Sequence, residues 1–217
     1  MSNFEQIKQA ALSGDAEAQF KLGDMYSLGE EIAQDYVESL KWFAKAAEQG
    51  HPQALYNLGI QYAKGLGVEQ DYKKAFPLLE SSAQLGFIPP MYYVAMCLIQ
   101  GKGTERDMTK GIKWCKRGAN AGSPRCQCWL ASLYAHGCDV DNYCAEPVEP
   151  NIRKAIEWYT KSAQGGYPIA QIELAQHYLD GKGVEKDVKQ AVMWLEKAAE
   201  KKFLKAKEML DELGIES

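Results

Sequence analysis

The amino-acid sequence predicts an all-α protein built from five helical hairpins, with one further helix at each end. Three observations predict this class. Glycine recurs with spacings of 36, 36, 36 and 44 residues, at Gly14, Gly50, Gly86, Gly122 and Gly166. Apolar residues spaced four apart follow each of these glycines, which indicates a helix. A pair of small residues closes each unit, as at Ala46-Ala47. Because several positions repeat together, we interpret the chain as one array of related units.

The first helix of each unit begins shortly after its glycine. Ala18, Leu22 and Tyr26 are four residues apart and therefore share one helical face. Gly23 lies on the same face, where the missing side chain is expected to admit a close neighbouring backbone. Asp15 has the residue type and position of a helix cap. Prolines fall in the first helical turn, where a missing N–H costs little, at Pro52, Pro124 and Pro168.

The second helix follows a glycine-rich turn and carries a tryptophan. Gly65-Leu66-Gly67 is typical of this turn, which is not a phosphate cradle because no Lys-Ser/Thr follows it. Asp35 comes next and, with Glu38, has capping-box spacing. Four tryptophans occupy the same place in their units and are assigned to packing, namely Trp42, Trp114, Trp158 and Trp194.

These landmarks give boundaries for one repeat domain that covers residues 1–217. The terminal helices, 3–13 and 203–213, cover faces that an end unit would otherwise expose. An insertion of eight residues, within 138–150, accounts for the longer fourth unit. The predicted hairpins are 14–49, 50–85, 86–121, 122–165 and 166–201.

The repeated pattern resembles the Sel1-like repeat, a relative of the tetratricopeptide repeat. It is nearly whole over Ala54–Ala83 and Ala170–Ala199. The third unit departs from it, because Val94-Ala95 replaces Leu-Gly and Leu98 replaces the tyrosine. The resemblance implies a right-handed α/α superhelical solenoid of about twelve helices. It also implies adaptor or scaffold work, and it supplies no catalytic residue because the family shares none.

Composition narrows the functional classes. The chain has 25 Lys and Arg against 29 Asp and Glu, a net charge of −4, which argues against nucleic acid as a partner. No apolar stretch approaches the roughly 20 residues that cross a bilayer, so we expect no membrane insertion. The first eight residues lack an apolar region, which favours the cytoplasm. A periplasmic or secreted location would require that a signal peptide had been removed.

The first helices are expected to line the concave wall of the solenoid, so residues there that the repeat does not require are candidates for partner binding. Trp129 stands where other units have Lys21, Asn57, Tyr93 and Glu173. Aromatic residues at the position of Phe20 have an alternative role, since they can cushion adjacent helices. The candidate groove residues are Tyr93, Trp129, Tyr56, Ile60, Tyr92, Met96, Ser132 and His136.

The insertion is the second candidate contact surface. It contains four acidic residues and no basic one, which suits a basic partner; the alternative is a solvated loop. Its candidate contact residues are Asp139, Asp141, Tyr143, Glu146 and Glu149.

All six cysteines lie between positions 97 and 144. Cys115 and Cys126 occupy core positions and are expected to be small buried residues. Cys138 and Cys144 could form a disulfide in an oxidising compartment. A zinc site that used them with His136 would lack a fourth ligand, so we predict no metal and no cofactor.

The sequence therefore predicts a non-enzymatic protein that binds a protein or peptide in its groove. The three histidines lie in different units, and no nucleophile stands beside a base, so catalysis has no candidate residues. The alternative is a dedicated inhibitor or immunity protein that occludes one enzyme. A third class is an extracellular solenoid that uses its cysteines. A monomer is favoured, although the sequence leaves the oligomeric state open.

Overall fold

The computed structural model describes residues 2–29, 31–138 and 147–215. This part of the chain contains twelve α-helices and no strand, so the predicted all-α repeat class is confirmed. Its only β-type pairing is an isolated antiparallel bridge between Cys138 and Val148. None of its helices is long and apolar enough to span a bilayer.

The chain divides into two compact units, residues up to Asp107 and residues from Met108. Each unit is described by itself. The first contains α1 (Asn3–Leu12), α2 (Ala16–Leu28), α3 (Tyr36–Glu48), α4 (Pro52–Lys64), α5 (Tyr72–Gln84) and α6 (Pro89–Gln100). The second contains α7 (Met108–Asn120), α8 (Pro124–His136), α9 (Ile152–Gln164), α10 (Pro168–Asp180), α11 (Val188–Glu200) and α12 (Leu204–Glu212).

Side-chain caps begin many of the helices, as the sequence predicts. The Asp15 carboxylate accepts a hydrogen bond of 2.7 Å from the backbone N–H of Ala18, which satisfies a donor that the helix itself leaves unpaired. The Asp35 carboxylate accepts from Val37 and Glu38 at 2.9 and 3.0 Å. The reciprocal half of the predicted capping box is absent, because the Asp35 N–H donates to the Tyr26 carbonyl.

One backbone hydrogen bond closes all five hairpins. The capping residue of the second helix donates its N–H to a carbonyl near the end of the first helix. In the fourth hairpin 17 residues separate the two partners of this bond, instead of 9 in the others. The eight inserted residues therefore lie between the two helices and do not change which residues pair. The pairs are Asp35 to Tyr26, Asp71 to Tyr62, Asp107 to Leu98, Asn151 to Tyr134 and Asp187 to Tyr178.

The glycines that mark the repeat end the preceding helix in left-handed backbone conformation. Gly14, Gly50, Gly86, Gly122 and Gly166 have φ angles between 76° and 100°. In each case the next residue donates its N–H to a carbonyl five residues earlier, which is the hydrogen bond of a Schellman motif. Lys202 takes the corresponding place at the end of α11 with a φ of 62°.

The core forms between the two helices of a hairpin. A Cβ on Gly23 would lie 2.6 Å from the Phe43 ring, so this glycine makes room for a side chain. The expectation of a close backbone at Gly23 was therefore wrong: the neighbouring Phe43 is 1% exposed and fills that space. At Gly59 the side chain of Leu79 takes the same place.

The repeated tryptophans pack at the edge of the core. Trp42 and Trp194 are buried members of core clusters, and Trp158 packs against one, which confirms their assignment to packing. In each second helix that has the tryptophan, a basic residue three positions later lies over the ring. The distances to the ring centroid are 4.1 Å for Lys45–Trp42, 5.0 Å for Arg117–Trp114, 4.3 Å for Lys161–Trp158 and 4.4 Å for Lys197–Trp194.

Two glycine substitutions should separate backbone strain from steric exclusion. Both Gly50 and Gly103 have positive φ, 78° and 75°, but a Cβ on Gly103 would collide with the Tyr72 carbonyl oxygen whereas one on Gly50 meets nothing within 4 Å. We expect Gly50→Ala to lower the free energy of unfolding by about 1 kcal/mol, and Gly103→Ala by at least about 2 kcal/mol. Urea denaturation measures both; equal losses would contradict the close approach.

Candidate functional site

The predicted groove residues fall into two sets, one in each unit. Tyr56, Ile60, Tyr92, Tyr93 and Met96 lie on α4 and α6 of the first unit, and all five are half-buried. In the second unit Trp129 and Ser132 are half-buried on α8, and His136 is exposed at its end. Each set is a candidate surface of its own.

The first unit contains a continuous aromatic cluster, formed by Tyr56, Phe87, Tyr92 and Tyr93. The ring centroid of Tyr56 lies 5.6 Å from that of Phe87 and 5.9 Å from that of Tyr93. Tyr92 and Tyr93 are 5.7 Å apart, edge to face. The sequence missed Phe87, although its place directly after Gly86 matches that of His51 after Gly50. All four rings are half-buried, so the cluster combines packing with an accessible surface.

The same arrangement occurs one hairpin earlier. Phe20 stacks on His51 with 4.7 Å between ring centroids, as Tyr56 meets Phe87. The position of Phe20 and Tyr56 thus packs against the residue that follows the first glycine of the next hairpin. This contact supports the alternative role of these aromatic residues, which is to pack between adjacent helices. Tyr93 does not occupy the position of Phe20 and Tyr56, so this packing role does not account for it.

Two carboxylates on the first helices of the first unit, those of Glu17 and Asp24, have polar partners. His51 Nδ1 accepts the backbone N–H of Ala54 at 3.3 Å, so its Nε2 carries the hydrogen that it donates to Glu17 at 3.0 Å. Lys21 lies 3.2 Å from the same carboxylate. The hydrogen bond from His51, followed by that from Lys21, lowers the pKa of Glu17 below its ordinary value. Asn57 donates to the Asp24 carboxylate at 3.0 Å.

The second unit carries a polar cluster on α8, α9 and α10, formed by Cys128, Ser132, Tyr159, Glu173 and His177. Tyr159 is 3% exposed and belongs to the buried cluster of this unit. The His177 ring lies 5.7 Å from the Tyr159 ring. Burial, the Glu173 carboxylate and Cys128 raise the pKa of the Tyr159 hydroxyl above its ordinary value. Burial and then Glu173 raise the pKa of the Cys128 thiol to about 12, so it stays protonated and unreactive at neutral pH.

From this polar cluster, the sequence predicted only Ser132 as a partner-binding residue. Tyr159 occupies a core position that holds Phe43, Leu79, Cys115 or Leu195 in the other units, and the added hydroxyl was the signal. Glu173 occupies the same place on α10 that Trp129 occupies on α8. These two departures from the repeat can be related to each other only in the folded structure, where α8, α9 and α10 pack together.

His136 continues the polar surface at the end of α8. Its Nδ1 lies 2.9 Å from the Ser132 carbonyl oxygen. Because a carbonyl oxygen only accepts hydrogen bonds, Nδ1 is the donor in this contact.

The described flanks of the insertion pair with each other. Cys138 and Val148 exchange two backbone hydrogen bonds, of 2.8 and 2.7 Å, which close the base of the loop. Glu149 is exposed beside this bridge, and Cys138 is disulfide-bonded. The remaining predicted contact residues Asp139, Asp141, Tyr143 and Glu146, and the predicted disulfide partner Cys144, lie outside the described residues.

The other cysteines are packing groups. Cys97, Cys115, Cys126 and Cys128 are buried free thiols, and the expected burial of Cys115 and Cys126 is confirmed, since both are 0% exposed. A hydrogen bond between these two thiols, together with burial, raises the pKa of Cys115 far above its ordinary value. Across residues 2–29, 31–138 and 147–215, no group of three or more His, Cys, Asp or Glu side chains could hold a metal ion.

Replacing Tyr56 tests how much of the aromatic cluster is packing. Because its ring lies between Phe87 and Tyr93, we expect Tyr56→Ala to lower the free energy of unfolding by about 2 kcal/mol. The control is Gln53→Ala, which changes an exposed residue on the same helix and should cost less than about 0.5 kcal/mol. Urea denaturation measures both, and a Tyr56→Ala protein as stable as the control would show that the cluster contributes no packing.

Comparison with known proteins gives the family context for these surfaces. The family profile described as "Sel1 repeat" matches five segments, which together cover most of the chain. They are residues 16–51, 52–87, 91–123, 124–167 and 168–203. The third match is the shortest, in the unit whose sequence departs from the pattern.

Three individual proteins are similar to this chain. The crystal structure of a Sel1 repeat protein from Oxalobacter formigenes matches with a TM-score of 0.84 and 29% identity, over 97% of this chain and 58% of that one. Immunity protein PA5088 from Pseudomonas aeruginosa matches with a TM-score of 0.61 and 20% identity, over 90% and 68% of the two chains. The secretory immunoglobulin A-binding protein EsiB of Escherichia coli is 46% identical over 44 residues, which are 20% of this chain and 9% of that protein.

Proposed function

Because the chain belongs to the Sel1 repeat family, we propose that it is a non-enzymatic binding protein that holds a protein or peptide on the surfaces formed by its first helices. Sel1 repeats are protein-interaction modules, and stacked hairpins present a preformed surface, which lowers the ordering cost of binding. Adaptor and scaffold are the uses that fit this surface.

One observation carries the proposal. Trp129 and Tyr93 are large aromatic residues at a first-helix position that the repeat fills elsewhere with Lys21, Asn57 or Glu173, and both remain half-buried rather than sealed in the core. Half-buried tryptophan and tyrosine are frequent anchors of protein interfaces. The name of EsiB gives secretory immunoglobulin A as what that protein binds; its short match to this chain supports a binding role without specifying a ligand.

The acidic insertion is part of the proposal as a second contact arm. Exposed Glu149 stands at its described base, and Asp139, Asp141, Tyr143 and Glu146 extend the set. The negative charge of the four carboxylates would speed the approach of a basic partner.

The proposed location is the cytoplasm, and the cysteines provide its test. The disulfide at Cys138 favours an oxidising compartment instead. Thiol titration of unfolded protein from the native host distinguishes the two: six free thiols agree with the cytoplasm, and fewer would overturn that location.

The alternative function is a dedicated inhibitor or immunity protein. The acidic insertion favours this alternative, because an acidic loop could cover a basic active-site entrance. The likeness to PA5088 shows that an immunity protein can have this fold. An inhibitor should be recovered with one stoichiometric partner whose activity it abolishes, whereas an adaptor should be recovered in multicomponent complexes.

Trp129→Ala tests the main proposal. We expect it to weaken binding of the partner by about 2 kcal/mol or more, as is usual for a central aromatic anchor. Affinity purification with wild-type and variant protein, read by mass spectrometry, identifies partners that only the wild type retains. Calorimetry with the identified partner then gives both dissociation constants.

The matched control is Gln176→Ala, an exposed position of α10 in the same unit. Circular dichroism should give equal helicity for both variants and the wild type. An unchanged dissociation constant for Trp129→Ala would remove the first-helix surface of the second unit from the proposal.

A further inference from the structure

The carboxylate of Glu173 differs from the equivalent groups of the first unit. There, Lys21 pairs with Glu17 at 3.2 Å, and Asn57 pairs with Asp24 at 3.0 Å. Glu173 is half-buried on α10, and within the described part of the chain its carboxylate makes no hydrogen bond and no ion pair. A carboxylate without a neighbouring cation is available to pair with one that a partner supplies.

Core packing brings this part of α10 towards α8. Cys128 and Ile172, the residues before Trp129 and Glu173 in the chain, belong to one buried cluster that also contains Tyr159 of α9. In agreement with this packing, the Glu173 carboxylate raises the pKa values of Cys128 and Tyr159. The polar cluster therefore offers an anion but contains no described cation that pairs with it.

Apolar groups flank the carboxylate. Ile169 lies one helical turn before Glu173 on α10 and is 41% exposed. Trp129 occupies the position on α8 that corresponds to Glu173 on α10, with its ring half-buried. A long basic side chain matches this combination, because its methylene stem packs on apolar surface and its charged end reaches a carboxylate or the face of an indole ring.

We propose that the face carrying Trp129, Ile169 and Glu173 binds a basic segment of a partner protein, with the Glu173 carboxylate receiving a lysine or arginine side chain. This inference rests on the proposed function and names the chemistry of the partner. It also agrees with the charge of the adjacent insertion, since Glu149 has the same sign.

The test is a titration with defined peptides at about 0.15 M salt, where long-range attraction between exposed charges is largely screened. The probe is an acetylated and amidated peptide of five Arg-Ser repeats, and the same peptide with glutamate in place of arginine is the reversed-charge control. Binding is followed by the indole N–H resonance of Trp129, which a Trp129→Phe spectrum assigns. We expect the arginine peptide to shift this resonance and the glutamate peptide to leave it unchanged.

Two isosteric variants separate a specific contact from overall charge. Glu173→Gln should weaken the arginine peptide about tenfold, as expected for loss of a charge-assisted hydrogen bond. Glu196→Gln removes the same charge from an exposed position on α11 of the same unit and should change the affinity less than about twofold. Equal weakening by both variants, or no weakening by Glu173→Gln, would overturn the inference.

The outcomes also separate this inference from the function on which it rests. If partner capture depends on Trp129 while Glu173→Gln leaves the peptide affinity unchanged, the binding function stands and the basic-segment inference fails. If the peptide affinity depends on Glu173 but no captured protein depends on Trp129, the site stands and the proposed function fails.

Discussion

The hydrogen bond that closes each hairpin is the constraint on which the rest of the structure depends. It joins the residue before the second helix to the last turn of the first and, for hairpins that lie within one unit, fixes where the two helices meet. Since the bond is made by backbone atoms, it places few demands on the side chains around it. The fourth hairpin shows this most clearly, because Asn151 makes the same bond to Tyr134 after an insertion that would displace any register set by loop length.

A fixed hairpin divides the residues into two groups. Those on the inner faces of the helix pair fill a shape that the partner helix dictates, as Phe43 fills the space left by Gly23. Those that point away from the pair, such as Trp129 and Glu173, are free to vary without disturbing the hairpin. Function in a repeat of this kind is therefore sought among side chains that the hairpin does not require, and its partner chemistry follows from their charge and exposed apolar area.

Buried polar side chains in the core make hydrogen bonds with nearby groups. Four glutamines on first helices are buried. The three at equivalent positions each donate to a carbonyl of the preceding helix at 3.1 Å, as Gln19 does to Ala11. The Gln19 side chain also accepts from Gln49 at 2.8 Å, whereas the side-chain oxygen of Gln171 is buried without a partner. Leu55 and Met91 replace the glutamine in two units, so this hydrogen bond adds to the packing between hairpins but is not needed for it.

The sequence by itself determined the helices, their caps, the glycines that end them and the order of the hairpins. These features depend on local interactions and on a period that residues such as Gly50 and Asp71 repeat, so a single chain is enough to find them. Only the tertiary structure decided which of the residues that depart from the repeat lie close to one another. Tyr159 and Glu173 belong to different hairpins, and no spacing rule relates them; packing brings α9 against α10, so that a core hydroxyl and a surface carboxylate share one environment. The same holds for Phe87, whose ring joins Tyr56 because the start of one hairpin packs on the first helix of the hairpin before it.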